Sequence, residues 1–268
     1  LVLAAVIFIF VAIYFSQIKK SVQLLGKINP WWLAIAVLSQ VATYFSSSFI
    51  FQSLFHSFQI KKKIGLVKLA ELSVVTLFFN LTVPSAQISG NTFLFGYLKK
   101  KQIEPAQILS LIITELLTFY ASMEIIIILL LTWLIITGAH PYFIIILVAG
   151  MILYALLALG VGFLGSKKMV QKINRKIAKI KWLRKIFQKM ENPTDDMKLD
   201  KVRNPWKSFY DHWRGWVKAT VYQFMLFAAD AFTIFILFRG LGIYVKPGQV
   251  IIAFTLTKIL SLVPFLPG

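Results

Sequence analysis

Asn80-Leu-Thr-Val-Pro-Ser-Ala-Gln-Ile-Ser-Gly90-Asn91-Thr92 interrupts an otherwise apolar stretch that runs from residue 64 to 98. Lipid offers no hydrogen-bond partner to bare backbone, so irregular chain at membrane depth survives only under protein or beside a water-filled cavity. Pro84, Ser85, Ser89, Gly90 and Asn91 are therefore expected to line a substrate pathway.

Working outward, composition sets the class. The 268 residues are 58% hydrophobic with a mean hydropathy of +0.76, and they hold several apolar runs of spanning length, the pattern of an integral membrane protein. With no cysteine there are no disulfide staples, thiolate metal sites or thiol nucleophiles. The three histidines, His56, His140 and His212, stand at segment ends where interfacial polar residues belong, and no metal site is expected from them. Leu1 already lies inside an apolar run, and Gly268 follows directly on Leu-Val-Pro-Phe-Leu-Pro. Both ends read as cut, with residues 1–16 as the remainder of a first helix rather than a signal peptide.

The expected spans are residues 31–55, 108–137, 142–164 and 216–238, with a last apolar segment at 250–268. Between Lys167 and Lys218 stand sixteen Lys or Arg residues against five acidic ones, which places this loop in the cytoplasm. Counting back, Lys99, Lys100 and Lys101 are cytoplasmic. Lys61, Lys62 and Lys63 precede the broken segment, so a re-entrant hairpin over 64–98 keeps both triplets inside, at the cost of leaving Lys19, Lys20 and Lys27 outside.

A weak internal repeat fits the hairpin. Phe49, Phe55, Ile60, Lys63, Gly65, Val67 and Pro84 match Phe232, Phe238, Ile243, Lys246, Gly248, Val250 and Pro267 at a constant separation of 183 residues. The helices that open the two units run in opposite directions in the assigned topology, so the units are inverted, as in transporters whose broken helices meet around a central site.

The stretch 80–94, followed by a basic turn, Glu104-Pro105 and a helix bearing Glu115, resembles the lysylphosphatidylglycerol synthase transmembrane, or flippase-like, family. The terminal Val263-Pro-Phe-Leu-Pro-Gly268 is similar to the start of that family's second Pro-Gly-rich motif. The resemblance covers nearly the whole chain. It implies a membrane domain that moves lipid between leaflets, coupled in the best-known members to a cytoplasmic aminoacyltransferase that is not among these residues. Departures concern charge: many relatives carry an acidic residue where Asn91 stands, an Arg where Leu94 stands, and a Glu-Arg pair where this chain has Glu115-Leu116.

The candidate substrate-binding residues follow from polarity at membrane depth. Burying the carboxylate of Glu115 costs several kcal/mol unless it is protonated, paired or wetted, so it either faces a cavity or bonds a neighbouring helix. Glu124, nine positions on, falls on the opposite face. Asp230 lies mid-span and Lys258 on the approach to the second motif, a pair of opposite sign suited to a lock or gate, with Glu71 and Glu115 as rival partners for the lysine. Asn80, Ser85, Gln87, Ser89 and Asn91 offer neutral hydrogen bonds to headgroup oxygens or, alternatively, cap two half-helices. Pro84, Gly90, Pro267 and Gly268 shape the two breaks.

The loop at 166–215 spaces apolar residues by three or four among Lys172, Arg175, Lys176, Lys179 and Arg184. This is the pattern of a basic amphipathic helix lying on anionic lipid headgroups. Trp206, Phe209, Tyr210, Trp213 and Trp216 read as an interfacial anchor. The net charge of +19 thus points to a membrane surface rather than nucleic acid, since the cations flank apolar residues and spans.

The expected architecture is all-α and polytopic: one membrane domain over 1–268, a helical bundle with inverted repeats and re-entrant broken helices in the inner or plasma membrane. The expected function is translocation of an aminoacylated phospholipid or a glycolipid. The alternative is a noncatalytic membrane partner of an envelope lipid synthase or glycosyltransferase. No catalytic constellation, nucleotide loop or cofactor site is legible.

Overall fold

The computed structural model describes residues 22–60, 62, 64–82, 88–138, 141–164 and 205–261. Pro84, Ser85, Gln87, Pro267 and Gly268 lie outside them, as do Lys172, Arg175, Lys176, Lys179 and Arg184 of the basic loop. The described chain is helical and without strands: α1 (Pro30–Ser57), α2 (Leu66–Thr82), α3 (Ile88–Lys100), α4 (Pro105–Ile136), α5 (Pro141–Leu164), α6 (Pro205–Gly240) and α7 (Pro247–Leu260). Proline opens α1, α4, α5, α6 and α7, at the position where its missing N–H costs nothing and its fixed φ suits a helix.

Four helices are long and apolar enough to cross a membrane: α1, α4, α5 over Pro141–Gly162 and α6 over Trp213–Gly240. These coincide with the spans expected from the sequence. The 14 residues of α7 rise only about 21 Å, short of a hydrocarbon core of about 30 Å.

The frame of the bundle is the antiparallel pair α1–α6, the most extensive helix contact in the described chain. Three contacts fix its register: Ser57 packs on Gly215, Thr43 meets Asp230, and Trp32 lies against Gly240. Numbers fall on one helix as they rise on the other, so the pair stays aligned along its whole length. At Gly240 an added Cβ would sit 2.7 Å from Ile28 and 2.8 Å from Trp32, so the helix backbones approach as closely as small residues allow.

Two apolar cores flank this frame. One gathers Phe51, Leu54 and Phe55 of α1, Leu69 and Leu72 of α2, Leu94 and Leu98 of α3, and Ile108 and Leu111 of α4. The start of α2 and the end of α3 therefore share one end of the bundle, and α2–α3 is a hairpin that leaves and returns on the same side. The other core joins the second half of α4, from Tyr120 to Leu134, with Leu147 and Tyr154 of α5, Phe227 of α6 and Phe254 and Ile259 of α7.

The repeat seen in the sequence recurs in the backbone. At the end of α1, Gln59 N–H donates to the His56 carbonyl (3.1 Å) and Ile60 N–H to that of Phe55 (2.9 Å). At the end of α6, Gly242 N–H donates to Arg239 (3.0 Å) and Ile243 N–H to Phe238 (2.9 Å). Both are Schellman turns with a left-handed residue, Gln59 at φ 53° and Gly242 at φ 76°, and every equivalent position lies at the same 183-residue separation. Because α1 and α6 are antiparallel, the units α1–α2 and α6–α7 are inverted.

One local expectation fails. Trp216, read as part of an interfacial belt, is only 8% exposed and packs with Ile113 and Leu117 of α4, whereas Trp213, three residues earlier, is 53% exposed. Aromatic composition signals an interface but does not say which face of the helix each ring takes.

Candidate functional site

The hairpin tip is tied by Asn80. Its Oδ1 accepts the Gly90 N–H at 2.8 Å and lies 3.5 Å from Ser89 Oγ, which also donates to the Phe79 carbonyl at 2.9 Å. Phe79 and Phe93 stack with centroids 4.9 Å apart, closing the hairpin on its apolar side. A Cβ on Gly90 would stand 2.6 Å from Asn80 Cγ, so only glycine admits this contact. Asn80 and Ser89 thus spend hydrogen bonds on joining two half-helices, the capping role that the sequence left open. Asn91 is half-buried beside them.

The second element is charged. Lys258 Nζ of α7 lies 3.8 Å from Asp230 Oδ2 of α6, with side-chain exposures of 31% and 22%. The rival partner Glu71 instead pairs with Lys68 on α2. Asp230 Oδ1 faces α1: Thr43 Oγ1 is 3.2 Å away and Gln40 Nε2 3.4 Å, and Gln40 Nε2 also donates to Thr233 Oγ1 at 3.0 Å. The Lys258 ammonium sits over the rings of Phe254 (5.1 Å) and Phe227 (6.0 Å). The Lys258 carbonyl accepts the Tyr154 hydroxyl at 3.0 Å, which anchors α7 on α5. The pair is thus held by three helices, partly neutralised, and poised on aromatic faces that attract a cation.

The tip and the pair share one level of the bundle. Ser47 of α1 and Ser73 of α2 bond at 2.8 Å in an antiparallel contact. Seven residues back along α1 and seven forward along α2 reach Gln40 and Asn80, so the asparagine that ties the tip lies level with the glutamine that faces Asp230. Gln40, Thr43 and Ser47 fall on one face of α1 at spacings of three and four. That spacing was the available signal for them, and it acquires meaning only once the α1–α6 register is known.

Glu115 is half-buried on α4 and has no ion-pair partner among the described residues. Glu124 keeps one buried carboxylate oxygen without a hydrogen-bond partner among them. Next to the charged pair an apolar groove of about 650 Å³ runs between α4, α6 and α7. Trp133, Phe224, Phe232 and Ile251 line it, and it includes Phe227 and Phe254, the rings beneath Lys258. A polar point at the end of an apolar groove is a geometry that suits an amphiphile.

No match was found among characterised proteins, nor among solved structures. The family model of the lysylphosphatidylglycerol synthase TM region matches residues 1–268, the whole chain. The described residues form the all-helical multi-pass bundle that such a match implies, and the chain belongs to the lysylphosphatidylglycerol synthase transmembrane family.

Proposed function

We propose that this protein moves a lipid headgroup across the membrane, between the tip of the α2–α3 hairpin and the Asp230–Lys258 pair, while the acyl chains remain in lipid or in the groove between α4, α6 and α7. The observation that carries the reading is the charged pair itself. Ionisable side chains within spanning helices are expensive, and they persist where they face a pathway. Inverted units that bring a broken hairpin and a short helix to one level supply the means of exposing the site to either leaflet in turn. An aminoacylated phospholipid offers phosphate to Lys258 and an ammonium to Asp230, and a glycolipid offers hydroxyls to both. The membrane is the cell's inner or plasma membrane, with the basic loop on the cytoplasmic side. The protein acts without bond-making chemistry of its own.

The test is translocation of labelled phospholipids and aminoacyl-phospholipids in proteoliposomes, beside an Asn91→Leu, Glu115→Leu variant. Transport by the native chain that falls in this variant and in Asp230→Asn, Lys258→Gln supports the reading; a fall in the second variant alone keeps the pathway at the charged pair and removes Asn91 and Glu115 from it. A folded protein that moves no lipid but copurifies with a lipid synthase or glycosyltransferase would favour the accessory-partner reading instead.

A further inference from the structure

Away from the charged pair, a cleft of about 1240 Å³ opens where α1 ends and the spanning part of α6 begins. Its polar lining includes His56 from the last turn of α1, Lys62 from the connection to α2, and Arg214 and Lys218 from α6, with Ser53 and Tyr222 contributing hydroxyls. The described residues that line it carry no carboxylate, and none of these four basic side chains has an ion-pair partner among the described residues. Phe55, Ile60 and Ile64 line the same cleft with apolar surface. The close contact of Gly215 with Ser57 brings the two helices together there, so basic residues from both helices line one cleft.

This chemistry is selective. Lys, Arg and hydroxyl donors around an apolar floor suit a phosphate ester attached to a hydrophobic body, and a guanidinium grips phosphate through paired N–H groups. The cleft lies at the ends of two spans, Pro30–Ser57 and Trp213–Gly240, which is headgroup depth. Its volume lies above the roughly 300–1,000 Å³ of small-ligand pockets and leaves room for a lipid headgroup with its glycerol.

We infer that this cleft is a docking site for the phosphate of an anionic phospholipid, drawn from the leaflet on the side of the basic loop. The inference deepens the translocation reading by naming a phosphate contact and a point of entry at the membrane surface, and it rests on that reading only for the step that follows binding.

The experiment is retention of lipid by the full-length chain. The protein is purified from mixed phosphatidylglycerol and phosphatidylcholine vesicles, and bound lipid is counted by native mass spectrometry. The native chain is compared with Arg214→Gln, Lys218→Gln and with Lys99→Gln, Lys100→Gln, which removes equal charge outside the cleft. Preferential retention of phosphatidylglycerol, weakened at least about tenfold by the first variant and unchanged by the second, is the expected result, since each cation near an anionic headgroup strengthens binding several-fold. Equal retention of both lipids, or equal loss in both variants, overturns the site. Displacement by soluble glycerol phosphate at the same concentration as the lipid would assign the cleft to free phosphate esters and overturn the lipid assignment. Binding is read without transport, so selective retention by a chain that moves no lipid would defeat the translocation reading and leave the cleft standing.

Discussion

Ser47 and Asp230 occupy equivalent places in the two inverted units, 183 residues apart, yet one makes a hydroxyl pair and the other a charge pair. In the first unit Ser47 of α1 meets Ser73 of α2 at 2.8 Å; in the second, Asp230 of α6 meets Lys258 of α7 at 3.8 Å. The same helix–turn–helix scaffold therefore closes without charge. What packing does not require, and solvation opposes, points to work done by the charges themselves. The first unit places its polarity instead at the hairpin tip, where Asn80 holds Gly90.

Removing the charged pair's acid should have the largest effect. Asp230→Leu strips Thr43 and Gln40 of an acceptor and leaves Lys258 without its acid. The loss should be on the order of 2 kcal/mol by thermal unfolding in detergent, against under about 0.6 kcal/mol for Ser47→Ala. Equal losses would mean that the two pairs are interchangeable packing contacts.

Next is Gly90→Ala, whose Cβ would enter the space of the Asn80 amide; overpacking there should cost about 1.5 kcal/mol. Asn80→Ala should cost about 1 kcal/mol, the worth of a helix-capping bond. Since both break one contact, the double variant should cost little more than Gly90→Ala alone. Full additivity would separate the two residues and dissolve the tie.

The smallest effects come from the matched turns. Gln59 holds a left-handed conformation that costs a side chain energy, while Gly242 holds it freely. Gln59→Gly should therefore stabilise by about 0.5 kcal/mol and Gly242→Ala destabilise by about 1 kcal/mol. Opposite signs are the signature of one turn used twice.

Much of this was legible in the sequence because membranes impose simple rules. Four spans, the interrupted hairpin and the 183-residue register all follow from hydropathy, punctuation by Gly and Pro, and position. Asp230 and Lys258 stood out because charge within an apolar run is rare. What could not be read depended on which helix faces which. Gln40 and Thr43 look like ordinary polar residues of α1 until the antiparallel contact with α6 brings them to Asp230. Trp216 turns inward for the same reason that Trp213, three residues away, does not: α4 packs against one face of α6. The basic cleft was hidden because its cations come from segments more than 150 residues apart in the chain.

If the charged pair serves the proposed transport while its neutral counterpart serves packing, removing the two pairs has unequal consequences for transport. Lipid translocation should therefore be measured in proteoliposomes for the native chain, for Asp230→Asn, Lys258→Gln, and for Ser47→Ala, Ser73→Ala, with folding verified for each. The first variant should slow transport about tenfold or more, a barrier rise of at least about 1.4 kcal/mol, while the second should stay within about twofold of native. Equal rates in the two variants, or native transport without the charges, would contradict that division of roles.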